Sequence, residues 1–452
     1  MILSKFNIVS KLKDKDEYFI LNPLSSNADI IDKETYLKIT NNNYQDIITD
    51  LIDKGYVVEE DKEKVLFEEK YKDFIDKQNN DEVQIFFAPT YACNFACSYC
   101  YQKEYSNEEQ ELTSEIIDAF FAYTSKKLGN RRRYITLFGG EPLLNGEKYK
   151  ENIKYFFKKA EENFYKVAIV TNGYNLEEYL EFINHSIIRE IQVTLDGVGE
   201  LHDKRRKLIN DGGTFEKISN SIDKALEYGI SINLRVVFDK ENAEGLIDLA
   251  KYAKNKGWTE SPNFKTQIGR NYELHTCFAN KSALFSRIEM YQKLHELIEK
   301  DRVILDFHKP AFSISKFIIE NEGMPDPMFD SCPACKNEWA FDYTGNIYSC
   351  TATVGKQGEE LGTFYPEVIE FEEKIEEIKG RNIISIKECN TCNLSLVCGG
   401  GCYSVAKNKT GQVKSPDCRP VKELLEMGLS LYDNLYNIDN NNNYERNNCC
   451  GI

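Results

Sequence analysis

The middle of the chain alternates between short apolar runs and amphipathic stretches. The apolar runs predict strands, and the stretches between them, such as LTSEIIDAFFAYTSKKL and KISNSIDKALEYG, carry apolar residues at helical spacing. This alternation is typical of a parallel sheet. Repeated along residues 83–305, it predicts an α/β fold, a partial (β/α)6 barrel with its chemistry at the carboxyl ends of the strands. The predicted strands are Val83–Pro89, Tyr134–Gly140, Lys166–Gly173, Glu190–Gly197, Ile232–Phe238 and Phe264–Gly269.

The first 78 residues have a different pattern and predict a separate small unit. Two alternating segments, Phe6–Leu12 and Glu17–Asn22, are joined by the turn-rich KDKD and predict a β-hairpin. A helical periodicity follows, ends at Gly55 and gives way to a strand at Tyr56–Val58. Hairpin, helices and a further strand together predict a winged-helix-like domain over residues 1–78.

Changes in composition mark the remaining boundaries. Lys72–Glu82 is polar and charged, which is typical of a linker. Residues 306–430 form a third region that is cysteine-dense and turn-rich. Its last helix gives way to the polar residues 431–452, which predict a disordered tail carrying Cys449 and Cys450.

The overall composition narrows the function classes. With 452 residues, of which 41% are hydrophobic and 29% charged, the chain is long enough for two or three domains and is not largely disordered. Its net charge of -16 argues against nucleic acid as a partner, because phosphate-backbone binding needs a basic surface. The cationic run Lys126–Tyr134 is predicted to be a solvated turn that enters a strand. Since no secretory signal and no membrane-length apolar run occur, we expect a cytoplasmic protein without a membrane partner.

Fourteen cysteines in such a chain indicate metal or cluster ligation, because the cytosol keeps thiols reduced. Cys93, Cys97 and Cys100 follow the first predicted barrel strand, in CNFACSYC. Three thiolates at this spacing can hold three corners of a cubane iron–sulfur cluster and leave the fourth iron open for chemistry. A zinc knuckle would need a fourth ligand, and no Cys or His follows within thirty residues.

A second set of cysteines lies in CPAC, at Cys350, in CNTCNLSLVCGGGC and in SPDC. Because paired CxxC motifs bind zinc well, two zinc ribbons are as good an interpretation of this region by itself as iron–sulfur clusters are.

CNFACSYCYQ resembles the CxxxCxxC signature of radical S-adenosylmethionine (SAM) enzymes. The resemblance implies that Cys93, Cys97 and Cys100 bind a [4Fe-4S] cluster whose open iron chelates the amino and carboxylate groups of SAM, with Tyr99 against the adenine. Matches at later strand ends imply further SAM contacts, although each by itself could equally be a helix cap or a core-edge hydrogen bond. They are Gly139, Gly140 and Glu141 in LFGGEP for the methionine amino group, Asn172 in TNG with Thr194 and Asp196 in VTLDG for ribose and carboxylate, and Arg205 in HDKRR and Arg235 in INLRVVF for the carboxylate.

The seven cysteines from Cys335 to Cys418 resemble the seven-cysteine pattern of the SPASM extension found on peptide-modifying radical SAM enzymes, and Cys332 precedes them. The resemblance implies two auxiliary [4Fe-4S] clusters with interleaved ligands, namely Cys332, Cys335, Cys350 and Cys402 for the first and Cys389, Cys392, Cys398 and Cys418 for the second. The close spacing of Cys332 and Cys335 departs from some relatives and leaves open a free site on the first cluster that could bind a substrate thiolate. Thr351 stands where sulfatase-maturing relatives carry an aspartate base, which weighs against that activity.

The N-terminal unit resembles the precursor-recognition domain of maturases of ribosomally made peptides, which binds a leader peptide by β-augmentation; a dimerising winged helix is the alternative. The whole resemblance, over roughly residues 1–430, implies a thioether-forming maturase of the sactipeptide or ranthipeptide type. A 5′-deoxyadenosyl radical would take a hydrogen from the bound peptide, with a flavodoxin- or ferredoxin-type electron donor and the auxiliary clusters as an electron sink. The alternatives are a C–C or C–O cross-link, an epimerisation, a zinc-binding peptide scaffold without catalysis, or a pure electron-transfer protein.

Overall fold

The computed structural model describes residues 1–100, 111–270 and 281–448. One large sheet joins the middle of the chain to the C-terminal region, and smaller sheets belong to the N-terminal residues. Within these ranges no helix combines the length and the apolar character needed to cross a membrane. Cys449 and Cys450 lie outside the described residues.

The N-terminal residues form the predicted hairpin, helices and short strand. Their elements are β1 (Ile2–Leu3), β2 (Ile8–Lys11), β3 (Tyr18–Asn22), β4 (Asn27–Ile31), α1 (Lys33–Thr40), α2 (Ile48–Asp53) and β5 (Val57–Val58). β3 pairs antiparallel with β2 on one side and β4 on the other, and β1 pairs antiparallel with β5. Gly55 follows α2 with a φ of 70°, the left-handed conformation that ends a helix and that glycine adopts without strain.

The predicted linker is helical rather than irregular. Helix α3 (Glu60–Asn80) runs through most of Lys72–Glu82. Its aromatic residues Phe67, Tyr71 and Phe74 surround the buried Phe329 of the C-terminal region, with ring centroids 5.1–5.6 Å apart. The polar composition therefore reflects the solvent face of a helix that is held on its other face by aromatic packing.

The strands predicted for the barrel are confirmed. They are β6 (Val83–Ala88), β7 (Arg133–Leu137), β8 (Lys166–Thr171), β9 (Ile188–Thr194), β10 (Ile232–Phe238) and β11 (Phe264–Arg270). Neighbours in this order pair in parallel, so the six strands lie side by side in chain order, from β6 to β11. All six carboxyl ends therefore lie along one edge, where the predicted site residues follow them.

Amphipathic helices cover the outer face of these strands. They are α4 (Ser114–Leu128), α5 (Glu147–Glu162), α6 (Leu176–Leu180), α7 (Glu200–Arg205), α8 (Phe215–Glu227), α9 (Leu246–Asn255), α10 (Arg287–Lys300) and α11 (Val303–Phe307). On this face Phe87 of β6 packs against Phe120 of α4 and Phe156 of α5, with ring centroids 4.6 and 5.3 Å away. The apolar core thus lies between sheet and helices, which leaves the inner face of the sheet available for a site.

The C-terminal region extends the barrel sheet, which the sequence patterns did not predict. Its elements are α12 (Ser315–Asn321), β12 (Glu338–Asp342), β13 (Asn346–Tyr348), β14 (Gly362–Thr363), β15 (Ile369–Glu370), α13 (Glu372–Lys379), α14 (Ser395–Cys398), α15 (Tyr403–Thr410) and α16 (Val421–Asn448). β12 pairs in parallel with β6, and β13, β14 and β15 continue the sheet in antiparallel order. The turn between β12 and β13 therefore lies close to the start of the loop that follows β6, where the Tyr343 N–H donates to the Ala88 carbonyl at 2.9 Å.

The last helix is longer than predicted. α16 continues to Asn448 through the asparagine-rich stretch that the sequence analysis assigned to a disordered tail. Leu424, Leu425 and Leu429 in its first half are buried against the N-terminal hairpin and the C-terminal core. Docking of this first half fixes the helix axis, so the polar residues that follow prolong an existing helix and need not nucleate one.

Candidate functional site

A cavity of about 510 Å³ lies on the inner face of the barrel sheet. Residues of all the barrel strands line it, together with the loop after β6 and Thr351 of the C-terminal region. Cys93, Cys97 and Cys100 all belong to its lining. The three thiols that the sequence singles out are thus gathered at one cavity.

The three-cysteine loop is held in place by a neighbouring chain segment. Backbone N–H groups of Ala96 and Ser98 donate to the carbonyls of Lys207 and Arg205, at 2.9 and 3.0 Å, and the Ile209 N–H donates to Asn94 at 3.0 Å. Burial and the nearby Glu141 carboxylate raise the pKa of the Cys93 thiol to about 12. Cys93 is therefore a neutral thiol at pH 7 unless a bound metal deprotonates it.

Gly139 and Gly140 line the cavity and support the cysteine loop from below. The Gly140 N–H donates to the carbonyl of Thr90 at 3.0 Å, and the N–H of the next residue donates to Ala92 at 2.9 Å. A Cβ on Gly140 would lie 2.1 Å from the Ala92 oxygen. Both glycines therefore allow a close backbone approach beside the cavity that the three cysteines line.

Glu141 holds two strand ends together. It is 1% exposed, and its carboxylate accepts from the Thr171 hydroxyl at 2.6 Å, the Asn172 N–H at 2.7 Å and the Leu143 N–H at 2.9 Å. Burial raises the pKa of this carboxyl. With these donors already bound, Glu141 organises the TNG turn rather than reaching into the cavity. Asn172 lines the cavity, and its amide donates to Asn94 of the cysteine loop at 2.8 Å.

The Tyr99 hydroxyl lies between a carboxylate and a guanidinium at the cavity wall. Its hydroxyl donates to Asp196 at 2.5 Å and accepts from the Arg206 guanidinium at 2.6 Å. Asp196 also accepts from the backbone N–H of Val237 at 2.9 Å. Tyr99 itself lines the cavity, whereas Asp196 is buried behind it and fixes the position of its ring.

The structure favours Arg206 over the predicted Arg205 as the guanidinium that faces the cavity. Arg205 is buried and paired with Asp196, Asp239 and Glu241 at 3.4, 2.8 and 3.1 Å. Arg206 follows the end of α7 and lines the cavity. Its buried Nε has no hydrogen-bond partner among the described residues. The HDKRR motif contains both arginines, but only the helix end decides which of them turns toward the cavity.

The predicted SAM residues thus divide into two groups. The lining of the cavity includes Tyr99, Gly139, Gly140, Asn172, Thr194 and Arg235. Glu141, Asp196 and Arg205 instead form the buried hydrogen bonds and ion pairs that position this lining. Three thiols suit a cubane cluster, and a glycine pair with a buried guanidinium whose Nε is unpartnered among the described residues suits a ligand with amino and carboxylate groups.

The sequence model of the Radical SAM superfamily matches residues 87–253, which hold this cysteine loop and the strands that form most of the cavity. The chain carries a radical SAM domain. Members of this superfamily use SAM and a [4Fe-4S] cluster, and this chain is accordingly a radical SAM enzyme.

Two curated relatives illustrate the similarity. A probable GTP 3',8-cyclase of Archaeoglobus fulgidus is 28% identical over 295 residues, which cover 62% of this chain and 92% of that protein. The radical SAM cyclopropyl synthase TigE of Paramaledivibacter caminithermalis is 23% identical over 458 aligned residues, which cover 94% of this chain and 91% of that protein. Similarity to TigE therefore extends beyond the radical SAM domain at both ends.

Two solved structures share the fold. The structure of hexahistidine-tagged anSMEcpe with bound AdoMet aligns with a TM-score of 0.61 at 19% identity and covers 80% of this chain and 96% of that chain. Streptococcus suis SuiB aligns with a TM-score of 0.53 at 15% identity and covers 93% of this chain and 99% of that chain.

The C-terminal cysteines of this radical SAM enzyme form two groups of interacting thiols. Cys332 and Cys402 are hydrogen-bonded to each other, and Cys335 and Cys350 lie within electrostatic reach of them. The second group contains Cys389, Cys392, Cys398 and Cys418, which lie within electrostatic reach of one another. The hydrogen bond from Cys332 lowers the pKa of Cys402 to about 7, while burial raises the pKa of Cys335 and Cys350, in the latter case to about 12.

The described cysteines do not converge as the ligands of one ion do. No three His, Cys, Asp or Glu side chains in the described ranges are arranged to hold a single metal ion. The four ligands of a cubane cluster each bind a different iron, so their sulfur atoms stand farther apart than those around one zinc. None of the eleven cysteines in these ranges forms a disulfide.

Arg381 organises the loop that carries Cys398 and Cys402. It is fully buried, and its guanidinium donates to the carbonyls of Gly400, Gly401, Val413 and Ser415 at 2.6–3.0 Å. The three glycines between these cysteines have φ values of 60–75°, which side chains rarely adopt. A single buried cation thus fixes the backbone shared by the two thiol groups.

One residue next to the first thiol group reaches the barrel cavity. Thr351, which follows Cys350, belongs to the cavity lining. Its N–H donates to Glu338 at 3.3 Å, and burial raises the pKa of that carboxyl to about 7. Tyr91, near the start of the cysteine loop, donates its hydroxyl to Asp342 of β12 at 2.6 Å. These contacts connect the two cysteine regions across one wall of the cavity.

Proposed function

We propose that this radical SAM enzyme is a maturase that installs a thioether cross-link in a ribosomally synthesised precursor peptide. The observation that carries the proposal is a shared cavity: Cys93, Cys97 and Cys100 line it together with Thr351, the residue that directly follows Cys350. A site that starts radical chemistry and a site that can accept an electron would then face one substrate.

Each residue set has a defined task in this proposal. Cys93, Cys97 and Cys100 hold a [4Fe-4S] cluster, Gly139, Gly140, Asn172, Thr194 and Arg206 bind SAM, and Tyr99 supports the adenine. When bound, cluster and SAM supply a carbon-centred radical that removes a hydrogen atom from the peptide. The lining residues orient the peptide and exclude water, which protects the reaction from side products.

The electron balance requires a second redox group. Forming a thioether replaces one S–H bond and one C–H bond by a C–S bond, so the peptide loses two hydrogens. One leaves as a hydrogen atom, and the other leaves as a proton and an electron. We assign the electron to auxiliary [4Fe-4S] clusters on the two C-terminal thiol groups, with Cys332, Cys335, Cys350 and Cys402 on the cluster nearer the cavity and Cys389, Cys392, Cys398 and Cys418 on the other. A flavodoxin- or ferredoxin-type protein in the cytoplasm would provide the reducing electron.

Similar proteins support a peptide substrate. The solved structures include anSMEcpe with bound AdoMet and a Cp18Cys peptide, and SuiB bound to the precursor peptide SuiA. SuiB also aligns over 93% of this chain, and therefore over its N-terminal residues.

The N-terminal unit offers an edge for a leader peptide. In the described ranges β4 pairs with β3 alone, so its other edge is available for β-augmentation. Ile30 of β4 is 53% exposed. A cavity of about 470 Å³ beside β4, lined by Ile318, Ile319 and Met324, could receive an apolar side chain of the leader.

The test uses anaerobically reconstituted full-length enzyme, SAM, dithionite and, as candidate substrates, the short cysteine-bearing peptides found by searching the reading frames that flank this chain's gene. A thioether is expected to remove the mass of two hydrogens and to make one thiol resistant to alkylation. A Cys97→Ala enzyme is the control and should leave the peptide unchanged. If every thiol of the product can still be alkylated, the thioether proposal is wrong.

A C–C cross-link is the second candidate, because similarity to the cyclopropyl synthase TigE covers 94% of this chain. This product also lacks two hydrogens but keeps all its thiols, so alkylation followed by fragment sequencing separates the two. Metal analysis addresses the zinc-scaffold alternative. The proposal predicts a brown protein with about twelve irons per chain, four for each cluster, whereas a scaffold would be colourless and hold zinc.

A further inference from the structure

The wall of the cavity formed by β9, β10 and β11 is polar where a closed barrel would be packed with apolar side chains. Gln192 of β9, Asn233 and Arg235 of β10 and Gln267 of β11 all line the cavity. Strand register places Asn233 beside Gln192 and Arg235 beside Gln267. Polar side chains on adjacent strands of one concave wall are typical of a binding surface.

Arg235 is only partly buried, and it lacks the ion pairs that hold the buried Arg205 behind the same wall. Its Nη1 donates to the neutral Gln267 side chain at 3.0 Å, and no carboxylate within the described ranges forms an ion pair with it. Arg205, behind the same wall, is paired with three carboxylates. Glu190, an acid of the cavity lining, is already paired with Lys265.

The local backbone makes room for the guanidinium. A Cβ on Gly269 would lie 3.2 Å from Nη2 of Arg235, so the glycine lets the side chain lie flat against β11. The neighbouring Asn233 has a buried Oδ1 with no partner in the parts of the chain that the structure describes. An unpartnered amide oxygen accepts a hydrogen bond, so it favours an occupant that carries an N–H donor, such as the peptide backbone beside a carboxylate.

SAM does not account for this cation. Its single carboxylate has a guanidinium in Arg206, which lies at Tyr99 and the cysteine loop. Arg235 stands three positions before the end of β10, deeper along the wall. Because Arg235 lines the cavity and has no carboxylate partner in the described ranges, it can bind an anionic occupant, and a guanidinium matches a carboxylate in shape and charge.

We propose that Arg235, with Asn233 and Gln267, forms a subsite that binds a carboxylate of the peptide substrate next to the residue that is modified. This inference rests on the proposed peptide-maturase function and adds that the reacting segment is acidic. The carboxylate belongs to an Asp or Glu side chain or to the C-terminus of the peptide. Arg235 thereby changes from the predicted SAM ligand to a substrate-positioning residue.

The test is a double-mutant cycle on the holoenzyme. The peptide that the wild-type enzyme modifies in the test of the proposed function is made with each Asp or Glu changed singly to Asn or Gln, and also with its C-terminus amidated. These peptides are assayed with wild-type enzyme, with Arg235→Gln and with the exposed-surface control Arg189→Gln. One peptide change should lower kcat/KM by roughly 10- to 100-fold with the wild type, as expected for a charged hydrogen bond. The same change should have little further effect with Arg235→Gln.

The outcomes separate the two claims. A singly changed acid that couples to Arg235 identifies a side-chain carboxylate, and coupling to the amidated end identifies the C-terminus. If every effect is additive, or if Arg235→Gln raises the KM for SAM in 5′-deoxyadenosine formation, the subsite is refuted. If wild-type enzyme cleaves SAM but modifies none of the candidate peptides, the proposed function fails, and the KM for SAM alone then decides whether Arg235 serves the cofactor.

Discussion

Gly140→Ala tests whether the glycine pair is needed to position the cysteine loop. The added Cβ would lie 2.1 Å from the Ala92 carbonyl oxygen and 2.5 Å from that of Tyr91, which are backbone atoms just before Cys93. Relief of this overlap needs a shift of roughly 1 Å, and overpacking of this kind costs about 1–3 kcal/mol. Metal sites tolerate errors of only about 0.2 Å in their ligand distances. The substitution should therefore lower the free energy of unfolding only moderately, but it should displace the cysteine loop far enough to disrupt cluster binding.

The assay measures iron content and 5′-deoxyadenosine formation in anaerobically reconstituted protein. Gly140→Ala should lose about four of about twelve irons per chain, the content of one cubane cluster, and should cleave SAM at least tenfold more slowly. Gly323→Ala is the matched control, because its Cβ would meet the nearest atom at an ordinary 3.6 Å. If Gly140→Ala retains its full iron content and the wild-type cleavage rate, the assigned role of this close approach is refuted.

Three further predictions address other parts of the structure. Arg381→Met removes a charged donor from four carbonyls, each bond being worth about 1.5–3 kcal/mol; auxiliary iron should fall while SAM cleavage persists, and unchanged iron would contradict this. Arg206→Gln should raise the KM for SAM by about tenfold or more. Arg205→Gln should instead lower Tm, because it leaves buried carboxylates unpaired. Equal effects of the two variants on the KM for SAM would contradict the assignment of Arg206 as the arginine that faces SAM. Burial lowers the pKa of His308 from 6.5 to about 4, so its contribution to stability is complete above pH 6.5 and is lost as pH falls toward 4. The Tm of His308→Asn should therefore fall less over that range, and parallel Tm curves would show that this histidine does not contribute.

The sequence predicted local elements well because their signals are local. The six barrel strands are short apolar runs, and their parallel order follows from the helices between them. The parallel pairing of β12 with β6 was not predictable in the same way. It joins residues about 250 positions apart, and nothing within either segment specifies its partner.

The same distinction holds for the site. The spacing of Cys93, Cys97 and Cys100 pointed to one location, and the structure brings all three to one cavity. Arg205 and Arg206 are adjacent in sequence, and their roles separate only because α7 ends between them. The sequence pattern therefore located the segment that contains both arginines. It could not show which of them lines the cavity, because orientation at a helix end depends on tertiary contacts.

The most direct test of the central claim is spectroscopic. The account predicts that the iron of the barrel cluster without a cysteine ligand binds SAM, so EPR or Mössbauer spectra of the dithionite-reduced enzyme should change when SAM is added. A variant with Cys93, Cys97 and Cys100 changed to Ala should show no such change. Identical wild-type spectra with and without SAM would contradict the account.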